Sequence, residues 1–158
     1  MSKIATKAQN NVFYQARFEA AKRNDKLASR EGAAEEVGID RTRLARIELG
    51  SLAPYPEEVL LMADSYCAPE LRNTYCREMC PLGCDTPKLE LEDLDRISVK
   101  ALSSFRKMAA AKEMLLDIVE DGVVSEDEKP ELDKVMATLD EVASIAQSLR
   151  VWVEKNLR

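Results

Sequence analysis

Histidine is missing from all 158 residues, which removes the most common general base, the most common zinc ligand and any Ser-His or Cys-His nucleophile pair. Glycine and proline total 11, too few for a loop-rich all-β chain. Long apolar runs are also lacking. Val59-Leu60-Leu61-Met62-Ala63 is typical of the longest and falls far short of the roughly 18 to 20 residues that span a bilayer. The N-terminal Met1-Ser2-Lys3-Ile4-Ala5-Thr6-Lys7 leads into Gln and Asn rather than an apolar core with a small-residue cleavage site. The sequence therefore reads as cytoplasmic, with no membrane segment. No phosphate-cradling glycine loop and no paired catalytic carboxylates stand out, so the chain points away from an enzyme.

What is present favours helix. Apolar residues make up 46% and charged residues 33%, with Ala, Leu, Glu, Lys and Arg abundant. The expected fold is all-α, in one compact domain or two small ones. The net charge of −6 is unevenly spread: residues 1–66 carry ten basic and ten acidic side chains, whereas residues 85–158 carry eleven against seventeen. The acidic excess is C-terminal, which leaves the N-terminal half free to present a local basic face to phosphate.

Along the chain, Phe13, Ala16, Phe18, Ala20 and Ala21 alternate with charged residues in a helix-like pattern from Asn11 towards Asn24 and predict a first helix. Ser29 precedes Ala33, Ala34 and Val37 as the cap of a short second helix that stops at Gly38. Gly38-Ile39-Asp40 supplies a tight turn and a new cap, after which Leu44, Ile47 and Leu49 mark the buried side of a third helix ending at Gly50. That third helix exposes Arg41, Thr42, Arg43 and Arg46. Beyond Pro54 and Pro56, Glu57 and Glu58 open a fourth helix with acids at its positive dipole end.

The stretch from Ser29 to Gly50, with the following Pro54-x-Pro56-Glu57-x-Val59-Leu60, resembles the helix-turn-helix of the Xre family, the lambda-repressor-like regulators. Ser29, Ala34, Gly38, Ile39 and the Ile47-Glu48-x-Gly50 exit carry the likeness, which covers residues 11–70. Gly32 inside the second helix and the small Ala33 depart from the family pattern. The resemblance implies a second helix that abuts the DNA backbone and a third that lies in the major groove. It implies that Arg41, Thr42 and Arg46 read bases, with Arg43 a further candidate and Arg30 near phosphate or base. It also makes Glu48 an internal structural residue, for which Arg23 is the expected partner, and a repressor the expected sign of action.

All four cysteines, Cys67, Cys76, Cys80 and Cys84, fall within a joint at residues 71–88 or just before it. In a reducing compartment a disulfide framework is not expected. Were Tyr75 to Cys80 helical, Cys76 and Cys80 would share a face one turn apart, and the chain could turn at Pro81-Leu82-Gly83 to bring Cys84 back. Four thiolates would suit zinc or an iron–sulfur cluster. The competing expectations are small buried side chains or a redox switch.

From Leu89 to about Asp121, apolar residues recur at three and four, and a second such stripe runs from Leu132 to Leu157. Residues 89–158 are thus expected as an antiparallel helical hairpin, with Ser125 capping the second helix and Pro130 near its start. The acidic loop Asp121–Glu128 lacks the alternating ligands of an EF-hand and reads as helix capping rather than calcium binding. Two helices alone bury little, so oligomerisation or partner binding is expected of the hairpin. Together these features predict a sequence-specific regulator of double-stranded DNA, acting as a homodimer. Two alternatives stay open: a protein-interaction adaptor of antitoxin or anti-repressor type built on the acidic hairpin, and a metal- or redox-sensing regulator built on the cysteines.

Overall fold

The computed structural model describes residues 8–120 and 122–157. Among these it is all-α: seven α-helices, one short 3-10 turn and no strand. The helices are α1 (Val12–Ala20), α2 (Arg30–Val37), α3 (Arg41–Glu48), α4 (Pro56–Ser65), α5 (Glu70–Glu78), α6 (Leu94–Ile118) and α7 (Lys129–Leu157). No helix among the described residues is long and apolar enough to cross a membrane. The chain divides into two compact units between Thr86 and Pro87.

In the first unit α1, α2 and α3 each start where a side chain answers the unpaired amides of the first turn. Asn11 accepts from Phe13 and Tyr14, Ser29 from Gly32, and Asp40 from Arg43. Gly38 ends α2 in the left-handed conformation with φ of 78°. The 3-10 turn Asp25–Ala28, which the periodicity did not announce, places Leu27 in the core. Phe13, Leu27, Ala33, Val37, Ile39, Leu44, Ile47, Val59, Met62 and Tyr66 form one continuous buried cluster. Single helices of eight to ten residues are marginal in water, so this shared core is what holds them. Ala68 and Leu71 join the same core, so α5 packs as part of the first unit rather than as a free joint.

The second unit is a hairpin in which α6 packs along α7. Its first helix starts at Leu94, not Leu89, because α7 engages the preceding backbone: Ser144 donates to the Lys88 carbonyl at 2.5 Å and Ser148 accepts from the Glu90 amide at 3.3 Å. Lys100 adds ion pairs to Glu90 and Glu92. At the far end Ser125 does not cap α7. Its amide donates to the Glu128 carboxylate at 2.7 Å, and the helix begins at Lys129 with Pro130 in its first turn. Asp121, where the acidic loop was expected to start, lies outside the described residues.

Candidate nucleic-acid interface

Helices α2 and α3 pack against each other across the turn Gly38–Asp40, and α3 is held from below by charge as well as by oil. Leu44 and Ile47 are fully buried, and so is Glu48, the last residue of α3. A carboxylate without water is costly unless it is paired and hydrogen-bonded. Glu48 is both. Arg17 of α1 donates through Nε to Oε1 at 2.5 Å and through Nη2 to Oε2 at 3.1 Å, and Arg30 of α2 donates through Nε to Oε2 at 2.7 Å. Arg17 Nη1 donates to the carbonyls of Leu27 at 2.8 Å and Ala28 at 3.4 Å. Burial works against the Arg17 charge, but the hydrogen bond and charge of Glu48 outweigh it and hold the guanidinium above its ordinary range. Three helices therefore meet on one carboxylate, and the 3-10 turn is tied to it through Arg17.

The partner expected for Glu48, Arg23, is elsewhere: it is exposed and donates to the Tyr66 carbonyl at 3.4 Å. Arg17 is the residue that sequence reasoning missed. Its signal was present, because Phe13, Arg17 and Ala20 are spaced on a single helical face that is buried throughout. A second unforeseen tie comes from Asn11, whose Nδ2 donates to the Ile47 carbonyl at 2.9 Å and joins the start of α1 to the end of α3.

The five residues expected to meet DNA separate into two sets. Arg41, Thr42 and Arg46 are exposed, and their side chains have no polar partner among the described residues. Arg43 is committed: its guanidinium forms a two-pronged pair with the Glu58 carboxylate, with Nη2 to Oε2 at 2.9 Å, and it lies over the Tyr55 ring at 4.2 Å. Glu58 in turn accepts from the Tyr55 amide at 2.7 Å, so one carboxylate fastens α3 to the start of α4. The Arg43 hydrogen bond holds Glu58 below the usual carboxylate range, and Glu58 raises Arg43 in return. Arg30 is committed through Nε to Glu48, while its Nη2 is buried with no partner among the described residues.

No protein family, curated protein or solved structure matches the chain.

The cysteines do not converge. Cys67 and Cys84 are exposed, Cys76 and Cys80 half-buried, and all four are free thiols. Among the described residues no group of three or more His, Cys, Asp or Glu side chains is placed to hold a metal ion. The reason is local. Helix α5 stops at Glu78, so Cys80 leaves the face that carries Cys76, and the turn that follows is set by backbone bonds from Cys80 to the Tyr75 carbonyl and from Gly83 to the Cys80 carbonyl.

Chemically, the surface around α3 offers two unpaired guanidiniums and a hydroxyl on one capped helix whose base is rigidly tied. Guanidinium recognises a planar pair of acceptors, as on a guanine edge, or a phosphate.

Proposed function

We propose that the protein is a sequence-specific DNA-binding transcription regulator that inserts α3 into the major groove. The observation that carries this reading is the division of labour on α3: Arg41, Thr42 and Arg46 stand free on its outer side, while Glu48 and Arg43 anchor it to the other helices. Donors with no competing partner on a helix whose backbone is held in place can turn to base edges, and each good bidentate contact to guanine discriminates by about 1–3 kcal/mol. The likeness of Ser29 to Gly50 to the Xre helix-turn-helix supports the same orientation, with α2 against the backbone. It also favours repression over activation. Arg43 and Arg30 serve this reading as positioning residues, since each holds the helix through a carboxylate.

The test is selection of the full chain against a pool of random-sequence DNA duplexes, followed by binding of the enriched duplex across a salt series. A specific duplex should emerge, and its affinity should fall at least tenfold in Arg41→Ala and in Arg46→Ala with unchanged thermal melting. No enrichment, or equal binding by the wild type and the doubly substituted chain, overturns the reading.

A further inference from the structure

The hairpin has two dissimilar sides. On α6 the residues that face α7 follow a heptad: Ile97, Ala101, Ser104, Met108, Ala111 and Ile118. On α7 the matching seam includes Val135, Val142, Ile145 and Trp152. Each residue one step further along a helix is rotated by about 100°. Because α6 and α7 run antiparallel, the residues just before the seam lie on one side of the hairpin and those just after it lie on the other. The side before the seam is closed. Lys107 reaches Glu141 at 2.7 Å, and Lys100, Ser144 and Ser148 bind the segment Lys88–Glu92.

The side after the seam is bare. It carries Leu102, Phe105 and Leu116 from α6 and Met136, Leu139 and Val153 from α7, with Phe105 62% and Leu139 41% exposed in spite of their size. Each helix therefore has two adjacent apolar stripes, which is what a helix with two helical neighbours needs and one with a single neighbour does not.

We propose that this face docks on the same face of a second copy, closing a four-helix bundle in which α6 lies against the partner's α7. Three observations favour a second copy over another occupant. The first is size complementarity. The register set by Lys107 opposite Glu141 places Leu102 level with Ala146, Phe105 with Ala143 and Leu139 with Ala109, so three central layers each pair one large residue with one alanine. A twofold axis along the hairpin sets Leu102, Phe105 and Leu139 over alanines of the other copy, so these layers interdigitate. The second is charge. Helix α6 carries five basic residues against three acidic and α7 carries four against five, so each α6 meets an α7 of opposite sign. The third is extent. A face of about 22 residues is roughly 33 Å long and two helices, roughly 20 Å, wide. With the relief of its side chains it approaches the about 800 Å² per partner of a stable interface.

The test is the mass of the full chain in reducing buffer and without DNA, so that neither a Cys67 or Cys84 disulfide nor an operator contributes. Light scattering and sedimentation at about 50 μM should give twice 17.7 kDa. Phe105→Glu and Leu139→Lys, both at exposed positions, should each weaken association at least tenfold with unchanged far-UV circular dichroism. Lys107→Ala with Glu141→Ala, on the closed side, should leave the mass at two copies. A wild-type mass of one chain, a mass other than two, or a dimer indifferent to both charged variants overturns the proposal, whatever the outcome with DNA.

Discussion

Gly32 in α2 lies against the carbonyl of Lys26 in the 3-10 turn so closely that a Cβ on it would fall 2.2 Å from the oxygen. The residue that departs from the Xre pattern is thus where two chain segments touch. On helix propensity alone, Gly32→Ala would stabilise α2 by about 1 kcal/mol. The contact with fixed backbone reverses the sign, and a loss of roughly 1–3 kcal/mol is expected. Urea unfolding followed by far-UV circular dichroism should move to lower denaturant. The fluorescence of Trp152, which lies in the hairpin, should report an unchanged second unit.

Glu48→Ala leaves two guanidiniums, Arg17 fully and Arg30 partly buried, without their carboxylate. Breaking such a cluster from one side costs about 3–5 kcal/mol, a large fraction of the stability of a unit this small. The first unit should be unfolded or molten at 37 °C, seen as loss of its helical signal and of amide protection in α1–α4, while the hairpin persists. A variant with a native-like melt would refute the bridging role of Glu48.

Acid should loosen the tie between α3 and α4. The Glu58 carboxyl titrates below its ordinary value in the folded chain, chiefly through the Arg43 hydrogen bond. Its contribution is therefore complete above the unfolded value of about 4.3 and is lost as the pH falls through the lowered folded value. The urea midpoint of the wild type should fall more steeply than that of Glu58→Gln over this acid window, with the two converging at its lower end. Parallel curves would show that the pair adds nothing to stability.

The thiols should react in two classes. Cys67 and Cys84 are exposed and should modify first, and Cys76 and Cys80 more slowly. A Cβ on Gly83 would fall 1.5 Å from the Cys76 carbonyl oxygen, so Gly83→Ala must displace the turn after α5. In that variant the slow class should speed up severalfold. Treatment with a strong metal chelator should leave the melting of the native chain unchanged, given that no described group of side chains is placed to hold an ion. A chelator-induced loss of structure would show that the cysteines meet in solution.

What the sequence disclosed and what it concealed divide along the range of the interaction. Ser29, Gly38 and Asp40 act on neighbours three or four residues away, so their identities announced the start and end of α2 and the start of α3. The all-α class and the two long stripes were legible for the same reason, since periodicity is local. The Arg17–Glu48 pair spans 31 residues and Arg43–Glu58 spans 15, and no spacing rule chooses among ten basic residues for such a partner. Hence Arg23 was expected beneath Glu48, and Arg43 was expected to face outward. The start of α6 was misplaced because Leu89 and Leu91 fit the helical repeat, whereas Ser144 and Ser148 on a distant helix bind that backbone outside the helix.

The seam between α6 and α7 is lined at Ala101, Ser104 and Ala111 by residues with almost no side chain, and the Ser104 hydroxyl turns back to the Ala101 carbonyl at 2.8 Å. Helices packed over such residues approach near the lower end of the 8–10 Å range of axial separations. In mechanical terms the hairpin is a thin laminated beam, roughly 40 Å long, glued along its full length and cross-braced on one side by Lys107 and Glu141. A beam of that kind transmits a wedge rather than absorbing it. Ala111→Leu would splay both ends, and the bare face would lose its flatness far from the substituted residue.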